Sequence, residues 1–284
     1  MPVFRFKRFE VSNDRSAMKV NTDGVLLGAL MTVSSHDRRL LDIGTGTGTV
    51  ALMAAQRLFS RIGAGTDPGL SACGDRDGND GRGSGVSVMA IDIDRPSAEE
   101  AAENFAAAPW SACMSAVHCP LSGFERMLSP VNDGGFDLVF SNPPYFESSL
   151  KAPDARRRAA RHADTLSYRE IMSFSARWLS AHGRLSMILP ADMWMEVRRY
   201  AVSWGLYPFR MVGVKTSPRR PCTRAVMEFA RKGTAICLSG GGCPEKNEIT
   251  AGPGYEPVGS VLTIMNEGTY SSEYRSLVSD FLLI

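Results

Sequence analysis

Apolar and polar positions along the chain alternate between two periods. Short apolar runs closed by glycine, proline or aspartate are separated by longer amphipathic stretches. Arg39 to Ile43, Val86 to Ile91, Ser115 to Val117, Phe136 to Ser141 and Arg184 to Leu189 read as buried strands. Val50 to Leu58, Pro96 to Phe105 and Ser167 to Ala181 read as helices. On the last of these, Ile171, Phe174, Trp178 and Leu179 form one stripe, assigned to the core rather than to a ligand. Val212 to Lys215 and Ala225 to Phe229 read as a final antiparallel pair. Strands alternating with helices predict an α/β fold whose parallel strands are joined by right-handed crossovers.

Two segments break this rhythm. Gly63 to Gly85 is 23 residues long with eight glycines and Asp67, Asp75, Asp77 and Asp80. Such a composition cannot bury apolar surface, so it reads as a surface-loop insertion. Its Asp75–Gly81 part has an aspartate pattern, but the helices and terminal Glu of a calcium-binding hand are missing. Ser239 to Gly259 is a second polar, glycine-rich stretch joining the late strands. The expected organisation is one domain over residues 1–284, interrupted at 63–85.

Chemistry concentrates at two strand ends. After Arg39 to Ile43 come Gly44-Thr45-Gly46-Thr47-Gly48-Thr49 and then a helix start. Glycines let backbone approach a ligand closely, and a helix N-terminus supplies N–H donors. The dinucleotide fingerprint needs glycine three residues after its second one; Thr49 stands there, so a nicotinamide or flavin site is disfavoured. No phosphate-loop G-x-x-x-x-G-K-[ST] run occurs either. The next strand ends in Asp92-Ile93-Asp94. Asp92 is placed to take the two hydroxyls of a ribose, and Asp94 to cap the following helix.

The strand from Phe136 runs into Asn142-Pro143-Pro144-Tyr145-Phe146. Two prolines fix the backbone and remove two N–H donors, so the turn is stiff and rich in acceptors. The Asn142 side-chain oxygen and the Pro143 carbonyl can each accept one hydrogen of a planar NH₂ group. Tyr145 or Phe146 can stack on the ring that carries it. A rigid loop with a packed tyrosine is the plain alternative.

Charge adds a partner. The formal net charge is only +2, yet from Lys151 to Lys232 there are 17 Lys/Arg against 6 Asp/Glu, a local balance of +11. Arg156 to Arg158 with Arg161, Arg198-Arg199, and Arg219-Arg220 form clusters, and Lys7 and Arg8 add to them near the start. Clustered cations attract phosphates, although many such arginines pair locally. The six cysteines form no C-x-x-C pair and read as reduced thiols; with four scattered histidines, no metal site is expected. No apolar run is long enough for a membrane span, and the first residues lack a signal-peptide core. A cytoplasmic monomer is expected.

In combination, the glycine turn, Asp92 and the Asn-Pro-Pro-Tyr turn resemble class I S-adenosylmethionine-dependent methyltransferases. Phe4 to Phe9, Asp14 to Gly28, Ala160 to Tyr168 and Tyr270 to Arg275 narrow the resemblance to the bacterial tRNA1(Val) adenine-N6 methyltransferases. It covers nearly the whole chain and implies a Rossmann-like, seven-stranded mixed sheet of order 3-2-1-4-5-7-6. It implies S-adenosylmethionine held by Asp42, Gly44, Gly46, Gly48, Asp92 and Asn142, with the Lys19–Asp23 run, Thr22 included, over it. The substrate is then tRNA, methylated on the N6 of adenine 37. Asn142, Pro143 and Tyr145 are the catalytic candidates; Phe146, Lys7, Arg161, Arg219 and Arg220 are the substrate-binding ones. Where many relatives place a carboxylate after the third strand to meet the donor's adenine, this chain has His118-Cys119-Pro120-Leu121-Ser122.

Two rivals remain open. A protein glutamine-N5 methyltransferase uses the same turn on another planar amide, but carries a helical domain for which the roughly forty residues before the glycine turn leave no room. A non-catalytic RNA-binding protein of the same fold is the other; intact Asp42, Asp92, Asn142 and Tyr145 argue against it.

Overall fold

The five apolar runs all become strands of one mixed sheet in a computed structural model, which describes residues 2–62, 85–129, 134–144, 166–237, 248–250 and 257–284. The chain begins with a hairpin of β1 (Val3–Arg5) and β2 (Glu10–Ser12), followed by α1 (Thr22–Leu30), β3 (Arg39–Ile43) and α2 (Thr49–Ile62). Next come β4 (Ser87–Asp92), α3 (Arg95–Ala106), β5 (Met114–His118), α4 (Leu121–Met127) and β6 (Phe136–Ser141). They are followed by α5 (Tyr168–Trp178), β7 (Leu179–Pro190), α6 (Trp194–Ser203), β8 (Leu206–Lys215) and β9 (Arg224–Arg231). The last elements are β10 (Ala235–Cys237), β11 (Glu248–Thr250), β12 (Val258–Thr263), β13 (Met265–Asn266), β14 (Thr269–Tyr270) and α7 (Ser272–Val278).

The main sheet has the order β12-β8-β9-β7-β6-β3-β4-β5. Leaving out β12, this is the expected seven-strand order with its antiparallel strand β9 between β7 and β8. The eighth strand is a correction: β12 adds in parallel to β8, with Val261 opposite Gly213. It was not anticipated because four of its six residues are exposed, as an edge strand permits, so no apolar alternation marks it. A second correction concerns α5, which ends at Trp178 and not at Ala181. Leu179 already pairs with Phe136 of β6, and a Cβ on Gly135 would lie 2.3 Å from the Ser180 nitrogen. That close approach requires a residue without a Cβ at position 135.

Helices α1, α2, α3 and α7 pack on one face through Leu26, Leu52, Phe105 and Val278; α4, α5 and α6 cover the other through Phe124, Phe174 and Val197. Both faces of the central strands are therefore buried, which accounts for their near-continuous apolar sequences. Among the described residues Cys119 and Cys222 are free thiols. Among the described residues no helix is long and apolar enough to cross a membrane, and no cluster of His, Cys, Asp or Glu could hold a metal.

Candidate active site

Strand β3 lies between β6 and β4. The chain leaves β3 toward β4 and β5 on one side and returns to β6 on the other, so the strand order reverses at β3/β6. Ligands of open α/β sheets bind at the carboxyl ends of strands beside such a switch. Here the glycine turn follows β3 and the Asn-Pro-Pro turn follows β6, directly across it. Ser141, fully buried at the end of β6, donates its hydroxyl to the Ile43 carbonyl at 2.6 Å and joins the two turns.

The glycine turn folds tightly because its glycines take left-handed backbone: φ is 73° at Gly44, 57° at Gly46 and 82° at Gly48. The amides of Gly44 and Thr45 both donate to the Ile91 carbonyl, at 2.9 and 3.1 Å, tying the turn to β4. Asp92 braces it from the same side: its Oδ2 accepts from Gly46 N and its Oδ1 from Asp94 N, both at 2.8 Å. Asp94 caps α3 through Ser97, as expected. Burial raises the Asp92 carboxyl above its ordinary range, against the opposing pull of these amides.

These elements enclose a cavity of about 280 Å³. Asn142 and Pro144 line one side, Gly44 and Gly46 the floor, and Asp92, Ile93 and Asp94 the next strand end. Cys119, Pro120, Leu121 and Ser122 close the far wall; Leu166 and Glu170 stand by the first turn of α5. Ile93 is half exposed, an apolar side chain that a ligand's planar ring would cover.

Of the residues named from sequence, Gly44, Gly46, Asp92 and Asn142 thus meet in one cavity. Pro143 is buried within the turn between Asn142 and Pro144. Asp42 lies beneath the glycine turn, only 1% exposed, and accepts a 2.8 Å bond from the Thr45 hydroxyl. Burial and the neighbouring Asp92 push its carboxyl up to about 7, with the Thr45 bond opposing them. Gly48 does not line the cavity; it packs where a Cβ would lie 2.5 Å from Phe105 Cε1. Thr22 is the exposed first residue of α1 and also stands outside the lining. Lys7 donates through its ammonium to the Ser279 carbonyl, and Arg219 and Arg220 are exposed in the β8–β9 turn, which shares the carboxyl edge of the sheet with the cavity. Tyr145, Phe146, Arg161 and nearly all of the 63–85 insertion lie outside the described residues.

The sequence reading missed Ala17, Met18, Leu166 and Glu170, which also line the cavity. Glu170 carried a legible signal, since Ser167-x-x-Glu170 is a capping box and both of its bonds form. Leu166, just ahead of that box, packs 3.1 Å from where a Cβ on Gly44 would stand.

No family model matches the chain. Among curated proteins, the tRNA1(Val) (adenine(37)-N6)-methyltransferase of Bacteroides fragilis is 37% identical over 282 residues, covering 99% of this chain and 98% of its own. Proteins of the same name from Flavobacterium johnsoniae and Trichodesmium erythraeum are 30% and 32% identical, each again over 99% of this chain. Among solved structures, a predicted O-methyltransferase from Agrobacterium tumefaciens superposes with a TM-score of 0.52 at 15% identity, over 91% of this chain and 96% of that one, a likeness of fold.

Proposed function

The chain belongs to the tRNA1(Val) (adenine(37)-N6)-methyltransferase family, and from that premise we propose that the cavity between the glycine turn and Asn142 is where S-adenosylmethionine meets an adenine of tRNA. The enzyme transfers a methyl group from S-adenosylmethionine to N6 of adenine 37 in tRNA1(Val). The observation that carries the site assignment is the convergence of Gly44, Gly46, Asp92 and Asn142 on one cavity at the switch point.

The residues present fit the donor. Gly44 and Gly46 offer backbone without side chains to its amino-acid end. Asp92 uses one lone pair on each oxygen for an amide, leaving the others for ribose hydroxyls. Ile93, Pro120 and Leu121 give apolar contact to its purine, in the absence of a carboxylate after β5. When bound, S-adenosylmethionine supplies a methyl group on a positively charged sulfur leaving group.

The adenine amino nitrogen is a weak nucleophile because its lone pair is delocalised into the ring. Asn142 and the Pro143 carbonyl accept its two hydrogens, which favours a pyramidal nitrogen and stabilises the positive charge that develops there. The stiff turn holds that nitrogen in line for transfer, lowering the entropic part of the barrier. No strong general base is needed, because the proton can leave after transfer. Tyr145 and Phe146, outside the described residues, are the candidates to meet the base turned out of the anticodon loop. Exposed Arg219 and Arg220, with Arg161 and Lys7, offer phosphate contacts. The reaction belongs in the cytoplasm.

Incubation of the pure protein with labelled S-adenosylmethionine and tRNA lacking the modification tests this reading. N6-methyladenosine in a single tRNA species supports it. Label in a protein fraction would move it to glutamine methylation; no label anywhere would favour the non-catalytic binder.

A further inference from the structure

The face of α3 turned toward the N-terminal segment carries a buried polar stripe, Ser97, Glu100 and Asn104, each no more than 4% exposed. Three polar residues on one buried helix face need partners, and all three find them between Ser12, the last residue of β2, and Ser16. Asn104 accepts from Ser12 N at 2.8 Å and donates to the Ser12 carbonyl at 3.1 Å. Glu100 accepts three backbone amides: Asp14 and Arg15 on Oε1 at 2.8 and 2.9 Å, and Ser16 on Oε2 at 2.9 Å. The hydroxyls of Ser97 and Ser16 meet at 2.9 Å. Against the opposing effect of burial, the amide donors hold the Glu100 carboxyl below its usual range.

The segment then turns over the cavity. Ser16 Oγ donates to the Met18 carbonyl at 3.0 Å, and Asn13 Oδ1 accepts from Val20 N at 2.9 Å, closing residues 13–20 into a loop. Ala17 and Met18, at its tip, line the cavity. The Met18 carbonyl lies 3.3 Å from where a Cβ on Gly46 would stand, so the tip rests on the glycine turn itself. Met18 is nonetheless 46% exposed, an apolar side chain at the cavity's edge.

We propose that Glu100 is a positioning residue of the methyl-donor site: its carboxylate holds the strap of residues 13–20 so that Ala17 and Met18 form a wall of the donor cavity. The inference rests on the reading of that cavity as the donor's. Glu100 touches neither the cavity nor the reacting atoms; it acts through three amides. A carboxylate is required because it presents an acceptor on both sides. In Glu100→Gln the amide oxygen can keep Asp14 and Arg15, but the NH₂ group then faces the Ser16 N–H, donor against donor.

The test is donor affinity by calorimetry for the wild type, Glu100→Gln and Asp92→Ala, with steady-state kinetics on unmodified tRNA and limited trypsin digestion at Arg15 and Lys19. Glu100→Gln should weaken donor binding about tenfold or more, the equilibrium effect of losing a buried charged hydrogen bond. Its KM for donor should rise in step, while kcat at saturating donor and KM for tRNA stay within about twofold, a pattern of lost uniform binding. Donor should slow cleavage at Lys19 in the wild type and no longer do so in the variant. A purely structural role would lower the unfolding temperature without this split. Unchanged donor affinity in Glu100→Gln, with affinity lost in Asp92→Ala, would overturn the strap alone. Donor affinity retained in Asp92→Ala would overturn the cavity reading and this inference with it. Should Glu100→Gln not fold, Asn13→Ala opens the same loop at its other end, and unchanged affinity there overturns the proposal equally.

Discussion

Ser141 donates its hydroxyl to the carbonyl of Ile43 at 2.6 Å, and each residue immediately precedes one of the two turns that line the cavity. This bond fixes the spacing between the glycine turn and Asn142 at a site with no solvent to substitute for it. Ser141→Ala leaves the Ile43 carbonyl without that partner and lets the turns drift. We expect kcat to fall roughly tenfold, since small misplacements in a near-attack geometry are costly, with donor affinity changed far less. Equal losses in kcat and donor affinity would mean that the bond supports the donor's floor rather than the register between turns.

Asn142 faces the cavity from the side opposite Asp92's strand end. Asn142→Ala should reduce transfer by about a hundredfold or more, the loss typical of removing one preorganised group that stabilises developing charge. Donor binding measured calorimetrically should remain nearly intact. Loss of both together would contradict the division of the cavity into donor and substrate sides.

Asp42 gives the enzyme a pH dependence near neutrality. Its carboxyl is raised to about 7 by burial first, with Asp92 adding to it, above an ordinary value near 4. Between those values the folded protein binds a proton that the unfolded chain has released. The contribution to stability is therefore full below about pH 4 and falls as pH rises toward 7. The donor carries net positive charge, so it favours the ionised carboxylate. Donor affinity should rise from pH 6 to pH 8, and Asp42→Asn should flatten that rise. A flat profile in the wild type would remove Asp42 from the electrostatics of the site.

The two turns and Asp92 were legible because each is a local pattern: apolar run, then glycine, proline or aspartate, then helix start. The strap was not, because its partners are read only when residues 12–18 lie along α3, 81 to 92 positions away. The local balance of +11 overstates the free cations, and which arginines pair is not legible in the sequence: Arg184 is buried against Asp37, 147 positions away, and Arg210 pairs with fully buried Glu228. Arg231 spends its donors on the carbonyls of Ala176, Leu179 and Ser180 at the end of α5. Arg169 and Arg177 pair with Glu196 and Glu125. Among the described residues, Arg219 and Arg220 stay exposed on the cavity's side.

Arg184 therefore belongs to folding, not to RNA. Its guanidinium also donates to the Thr32 carbonyl through Nε and Nη2, at 3.1 and 2.8 Å, joining β7 to the end of α1. Arg184→Ala would leave Asp37 buried without its cation, at a cost of about 3–5 kcal/mol. Thermal unfolding should shift accordingly, while the salt dependence of tRNA binding by the remaining folded protein stays unchanged. A shallower salt slope would instead place Arg184 among the phosphate-binding residues.

Gly48 separates a packing role from a ligand-binding one within the same turn. Its φ of 82° disfavours any side chain, and an added Cβ would lie 2.5 Å from Phe105 Cε1 and 3.3 Å from the Ala101 Cβ. Gly48→Ala should destabilise the fold by roughly 2–4 kcal/mol, combining backbone strain with overpacking. Shortening the obstructing ring in the double variant Gly48→Ala/Phe105→Leu relieves the clash but not the strain, so the two changes should cost less together than the sum of each alone. Donor affinity, measured where each variant is fully folded, should follow neither change closely, because Gly48 stands outside the cavity lining. Additive stabilities would remove the Phe105 clash as the cause; donor binding lost in Gly48→Ala and not recovered with Phe105→Leu would place Gly48 back among the residues that touch the donor.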